Sequence, residues 1–188
     1  AKLMNERKLV SLMDNGVTIV DPASTWISED TEIGQDTIIY PATYIEGKNI
    51  IGRNCKIGPC AHLRGGVEIE DNCKIGNFVE VKKAKIGHHT NAGHLSYIGD
   101  SEFGSHINIG AGTITANFNP LNNVKSKTIL GDNVKIGSNT VLVAPVEVKE
   151  GANIGAGSVV TKNIPAWALG LTRAPLKILE NWVKGKIN

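Results

Sequence analysis

Arg64 and Lys82 each follow an aliphatic residue and lie eighteen positions apart in the chain. Two cations held that regularly repel one another unless an anion lies between them, so the pair suits an anionic ligand. Screening by Glu68, Glu70 or Glu80 on a solvated face would satisfy the same charges. His94 stands in Ala92-Gly93-His94-Leu95, with Tyr97 three residues on. A neutral imidazole can take a proton from an attacking amine, the step that general-base acyl transfer needs. A histidine hydrogen-bonded for purely structural reasons fits the same string. Asn108, Asn117, Asn119, Asn122 and Asn123 crowd a short region with Lys125 and Lys127. Amides and lysines suit a polyhydroxylated, phosphorylated ligand, and asparagine also simply favours loops.

These residues are set into a repeat. Every sixth residue from Ile27 to Val81 is aliphatic, and glycine follows Ile33, Ile51, Ile57 and Ile75. The period resumes at Ile86, Ala92 and Ile98, then at Phe103, Ile109 and Thr115, and finally from Leu130 to Val160. Small residues recur four places after the aliphatic one, as at Thr37, Cys55, Ala61, Cys73, Thr90, Ser96, Thr113, Thr140 and Ser158. A hexapeptide period of this kind predicts a parallel β-helix, three hexads to a coil, with about seven coils between Ile27 and Pro165. Glycine is expected there for backbone conformations that a side chain would hinder. The pattern fails three times: single-residue deletions before Ile86 and Phe103, and the polar insertion 116–127. All three failures lie between Leu63 and Lys127, and the functional site is expected there.

The rest of the chain bounds the alternatives. A length of 188 residues suits one domain with small terminal additions, and a net charge of +2 argues against a dedicated nucleic-acid surface. No run of eighteen apolar residues and no charged-then-apolar leader occurs, so no membrane partner and a soluble, non-secreted, cytoplasmic protein are expected. Cys55, Cys60 and Cys73 are too few for a disulfide framework, and Cys55 and Cys73 read as stacked core thiols. Residues 1–22 read as an N-terminal helix and linker, helical from Lys2 to Asp14 before the Asn15-Gly16 turn. Residues 23–165 form the β-helix, and 166–188 a C-terminal segment with a short helix beginning near Pro175.

Several strings in the chain are more specific than the repeat. Ile57-Gly-Pro-Cys-Ala-His-Leu-Arg64, Gly76-Asn-Phe-Val-Glu-Val-Lys82, Ala92-Gly-His94-Leu-Ser-Tyr97-Ile-Gly-Asp100 and Asn108-Ile-Gly-Ala-Gly-Thr-Ile-Thr115 closely resemble the acetyltransferase half of the GlmU family of bifunctional bacterial enzymes. The likeness runs on through Leu142-Val-Ala-Pro-Val146 to Arg173. It implies a left-handed β-helix that transfers acetyl from acetyl-CoA to the amine of glucosamine 1-phosphate, within a homotrimer and with no metal. It further implies that His94 is the general base, that Arg64, Lys82, Tyr97, Asn108 and Lys125 bind the sugar phosphate, and that Ala111, Asn117, Phe118, Ser138, Ala156 and Arg173 meet acetyl-CoA. Lys125 aligns only with one extra residue in its loop. Where the family has Asn-Tyr-Asp-Gly this chain has Asn117-Phe118-Asn119-Pro120, which keeps the ring, loses its hydroxyl and stiffens the turn. No Gly-rich nucleotide-binding segment precedes the repeat, so the uridyltransferase half is not expected.

Three other readings use the same residues. An acetyltransferase of a different amino sugar would account for Phe118 and Pro120. A carbonic anhydrase of the γ class also builds on a β-helix with three histidines, and His89 and His94 are suitably spaced, but His62 is one and a half coils from His89. A non-catalytic β-helix scaffold needs none of these side chains.

Overall fold

The computed structural model describes residues 2–172, 174–182 and 184. It is a parallel β-solenoid of about eight turns, preceded by the helix Lys2–Asp14. The hexads act as expected. On the first face Ile39, Ile57, Ile75, Ala92, Ile109, Ile136 and Ile154 stack in parallel register. Ile27, Ile45, Leu63, Val81, Ile98, Thr115, Leu142 and Val160 stack on the second face. Ile33, Ile51, Ile69, Ile86, Phe103, Leu130 and Val148 stack on the third. The stack is continuous and, apart from the partly buried Ile33 in the first coil, buried, so each coil supplies the apolar floor of the next. Paired strands begin at Thr18–Ile19 and end at Leu169–Gly170, somewhat outside the limits of 23 and 165.

The small-residue column is buried throughout and has a polar task as well as a steric one. Thr37 Oγ1 donates to the Gly52 carbonyl at 2.8 Å and Thr140 Oγ1 to that of Gly137 at 2.7 Å. Cys55 and Cys73 take the same place, their thiols reaching the carbonyls of Glu70 at 3.2 Å and Gly87 at 3.1 Å, and both are free. These contacts satisfy corner carbonyls that the strand ladders leave over.

Of the glycines after the aliphatic positions, Gly58 has the positive φ expected, at 95°, while the others serve a different purpose. Gly34 and Gly76 have ordinary backbone angles; a Cβ on either would lie only 2.6 to 2.7 Å from backbone carbon of the coil above. They are needed for close approach between coils. Left-handed corner conformations fall largely to other residues, among them Asn54, Asn72, His89 and His106 at one corner and Phe78 and Leu95 at another.

The N-terminal helix matches its expected span and buries Leu9 and Leu12 against the first coil. The C-terminal helix is a correction: among residues 174–182 there is no helix, only an irregular segment ending in a turn. Its apolar residues Leu176, Ile178 and Leu179 are exposed, so no packed face is present to stabilise a short helix. No helix among the described residues is long and apolar enough to cross a membrane.

Candidate functional site

All three breaks in the repeat occur at one corner, between the second and third faces, on three consecutive coils. In the first two, a residue is missing and the strand runs straight round the corner, as Glu80–Ile86 and Tyr97–Phe103. In the third, residues 116–127 leave the solenoid as an antiparallel hairpin, Phe118–Asn119 pairing with Val124–Lys125. Asn117 is buried at its base, and its amide donates to Asp100 at the shortened corner below. The shortened coil thus anchors the insertion. Asn119 and Asn122 accept bonds from the amides of Leu121 at 2.9 Å and Val124 at 3.1 Å, so they shape the turn locally. Leu121, at the tip, is 94% exposed.

The second face carries the charged residues. The register that pairs Leu63 with Val81 sets Arg64 and Lys82 at equivalent places on neighbouring coils, as the eighteen-residue interval predicts. Arg64 Nη1 lies 2.9 Å from Glu80 Oε1, and its Nε lies 3.7 Å from Glu46 Oε1. The Glu80 carboxylate, by hydrogen bond and charge, raises the Arg64 pKa above its ordinary value, with Glu46 adding to it. Glu80 therefore orients the guanidinium; Glu46 is a second partner not singled out from sequence, although it stands one coil below Arg64. Above Lys82 in the same column is Gly99, and the Tyr97 ring folds over it: a Cβ on Gly99 would lie 2.7 Å from Tyr97 Cζ. A side chain there would push the phenol away from the cations. Gly99 was hidden among the repeat glycines, and only its place above Lys82 distinguishes it.

His94 lies at the corner between the first and second faces, exposed and three residues before Tyr97. Its Nδ1 is 2.8 Å from Oδ1 of Asn77, its register partner one coil below. The same register carries the column upward from His94 to Ala111, Ser138 and Ala156. Backbone bonds tie that column together, with Asn139 N donating to Ala111 O at 2.7 Å and Gly157 N to Ser138 O at 2.8 Å. Three of the six positions expected to meet acetyl-CoA thus form one narrow track, rising about 14 Å above His94 at the inter-strand spacing.

The remaining positions are elsewhere. Asn108 stands on the outer side of the first face beside Asn91 and Lys135, not with Arg64 and Lys82 on the second. Lys125 and Phe118 face solvent from the hairpin. Arg173 lies outside the described residues. The histidines do not converge: His89 stacks on His106 at the corner between the third and first faces, with ring centroids 4.8 Å apart, while His62 packs beside Tyr44 on the second. Among the described residues no three His, Cys, Asp or Glu side chains group as a metal site.

Comparison with known proteins gives the family and the fold. The model for bacterial transferase hexapeptide (six repeats) matches residues 49–83 and 127–162. The bifunctional protein GlmU of Thermotoga petrophila is 45% identical, over 96% of this chain and 47% of that protein. The chain is a homologue of the C-terminal half of GlmU. The GlmU of Thermodesulfovibrio yellowstonii is likewise 45% identical, over 98% of this chain and 48% of its own length. The chain spans about half the length of the GlmU relatives it matches. Among solved structures, the LpxA UDP-N-acetylglucosamine acyltransferase of Bacteroides fragilis aligns with a TM-score of 0.63 at 19% identity, over 78% of this chain and 69% of that one. That likeness concerns the fold.

Proposed function

We propose that the chain transfers acetyl from acetyl-CoA to the amine of glucosamine 1-phosphate, giving N-acetylglucosamine 1-phosphate. The observation that carries this reading is the continuity of His94 with the Ala111, Ser138 and Ala156 column on one side and with Tyr97, Lys82 and Arg64 on the other. A base at the junction of an extended track and a cationic patch suits a thioester donor in the track and an anionic acceptor on the patch.

In this reading the sugar phosphate lies against Arg64 and Lys82, and the amine faces His94. Once the ammonium has lost a proton, the amine nitrogen attacks the thioester carbonyl carbon and His94 takes the second proton as the new N–C bond forms. The oxyanion collapses, the C–S bond breaks, and the imidazolium returns its proton to the leaving sulfur. Holding both reactants on a rigid solenoid supplies much of the rate through orientation. Asn108, on a different face, can serve this site only if a neighbouring copy presents it, which favours the homotrimer. The hairpin, with Phe118 and Lys125 exposed, would reach the ligands in the same way. Phe118 and Pro120 support a second reading, the same chemistry on a different amino sugar.

The test is thiol release from acetyl-CoA with glucosamine 1-phosphate and a panel of other amino sugars. His94→Ala should lower turnover about 10²- to 10⁴-fold with the fold retained. Unchanged turnover would remove His94 as the base, and faster reaction with another amino sugar would reassign the acceptor.

A further inference from the structure

Asn77 occupies the corner position one coil below His94, and its side chain makes a hydrogen bond to the imidazole. The proposed chemistry needs a particular ring nitrogen to be bare, and nothing in the reaction itself selects which. We infer that Asn77 is a positioning residue whose amide oxygen holds His94 with the proton on Nδ1, leaving the Nε2 lone pair for the substrate amine. This rests on His94 being the base.

The argument is geometric. An amide oxygen has no hydrogen to donate, so at 2.8 Å from Oδ1 the Nδ1 atom must be the donor. In a neutral imidazole the other nitrogen is then the acceptor. The separation of the two residues is set by the solenoid, because Leu95 N donates to the Asn77 carbonyl at 3.1 Å and ties the coils at this corner. Phe78 and Leu95, the residues that follow each partner, both have left-handed backbones, with φ of 56° and 47°, and their side chains are exposed. The repeated turn sets the two preceding side chains side by side. The neighbours in the column, Pro59 below and Ala111 above, carry no side-chain hydrogen-bonding group. A carboxylate in place of Asn77 would orient the ring equally well, but it would also favour the imidazolium and so withdraw the base at neutral pH. A neutral amide orients without that penalty.

The experiment is ¹⁵N NMR of the histidine rings at a pH where His94 is neutral, in the full chain, with kinetics alongside. Wild type should show a protonated Nδ1 and a bare Nε2 at His94. Asn77→Ala should lose that preference and lower kcat about ten- to a hundredfold, with KM for acetyl-CoA and amino-sugar phosphate little changed. Asn77→Asp should keep the tautomer, recover much of the turnover at high pH and move the acid limb of the pH profile upward. The other titratable groups on the flanking strands, Glu80 and Lys82 on the Asn77 coil and Tyr97 beside His94, are the same in every variant. A wild-type His94 with its proton on Nε2 would overturn the inference, since it would turn the amide nitrogen toward the ring. So would an Asn77→Ala variant whose tautomer, kcat and pH profile match wild type. The tautomer is read without substrate, so a chain whose turnover survives His94→Ala would refute the base while leaving the NMR result standing.

Discussion

The coils before Glu80 and the three coils after it share one interior and differ at one corner. In the two coils before it the second and third faces meet through a glycine turn, at Gly47 and at Gly65-Gly66, whose positive φ angles lie between 65° and 75°. In the next two the glycines are gone, Lys83 and Asp100 take the corner with φ of 47° and 46°, and seven-residue strands run through it. In the third the corner opens into the hairpin. The early coils show what the repeat needs in order to stack; the later ones show what has been added to it. Arg64 stands at the boundary between the two, on an early coil with its partner Glu46 on the coil below, while Glu80 and Lys82 begin the altered stretch.

The interior is adjusted to match. The second of the two seventeen-residue coils holds Ala92 at its first-face position, where the neighbouring coils have Ile75 and Ile109, and Phe103 at its third-face position. Small against large in one layer keeps the volume filled. In a regular coil Ile57→Ala should therefore cost about 2–5 kcal/mol by leaving a cavity. In the altered coil the reverse change, Ala92→Ile, should cost about 1–3 kcal/mol by overpacking. Adding Phe103→Val to Ala92→Ile should recover part of that loss. Denaturant titration of the three variants beside wild type decides the matter, and a neutral Ala92→Ile would mean that this coil is not tightly filled.

The same contrast explains what could be read from the chain alone. Stacking, inward columns and the Arg64 to Lys82 juxtaposition follow from a period of six and a coil of eighteen, because β-register is rigid and repetitive. The N-terminal helix was readable from apolar spacing and the Asn15-Gly16 turn. The C-terminal helix was not, because Leu176 and Leu179 have helical spacing but no surface of this chain to cover, and periodicity does not report on partners. The deletions could be counted in sequence, yet their gathering at one corner could not. Three column relationships were equally hidden: Asn77 under His94, Glu46 under Arg64 and Gly99 over Lys82. Each links residues seventeen or eighteen apart through their outward side chains, where the repeat tolerates nearly any residue and leaves no pattern to notice.

Gly99 tests whether the altered coils are shaped for the site as well as for stacking. A Cβ there would meet Tyr97 at 2.7 Å from Cζ and 2.8 Å from Cε1, atoms toward the end of a movable side chain. Gly99→Ala should thus displace the ring and leave the melting temperature almost unchanged. In contrast, Gly76→Ala in the preceding coil would press on backbone. The expected outcome is a KM for the amino-sugar phosphate raised about tenfold, near 1.4 kcal/mol, with KM for acetyl-CoA unaffected. A Gly99→Ala variant with normal KM and lowered stability would make Gly99 another stacking glycine.

The smallest effect is expected where the hairpin returns to the third face. Lys127 ends the insertion and pairs with Glu102, which sits one coil above Lys85, itself 3.1 Å from Glu68. Lys127, by hydrogen bond and charge, holds the Glu102 carboxyl below its ordinary pKa, and Lys85 adds to the shift. A carboxylate with a lowered folded-state pKa stabilises the fold above its unfolded pKa. That contribution fades as pH falls through the unfolded value and then the lower folded one. Both side chains are substantially exposed, at 61% and 45%, so Glu102→Gln should lower stability by less than about 1 kcal/mol at neutral pH. The difference from wild type should vanish on acidification, because wild-type Glu102 is then protonated too, and should shrink in molar salt. Unfolding curves at neutral and acid pH, with and without salt, separate this from a packing role, in which the Gln variant would differ from wild type under every condition. The hairpin would then be tied at its return by the Lys127–Glu102 pair, which weakens with acid and salt, and at its start by the bond from the buried Asn117 to Asp100, which does not depend on a second charge.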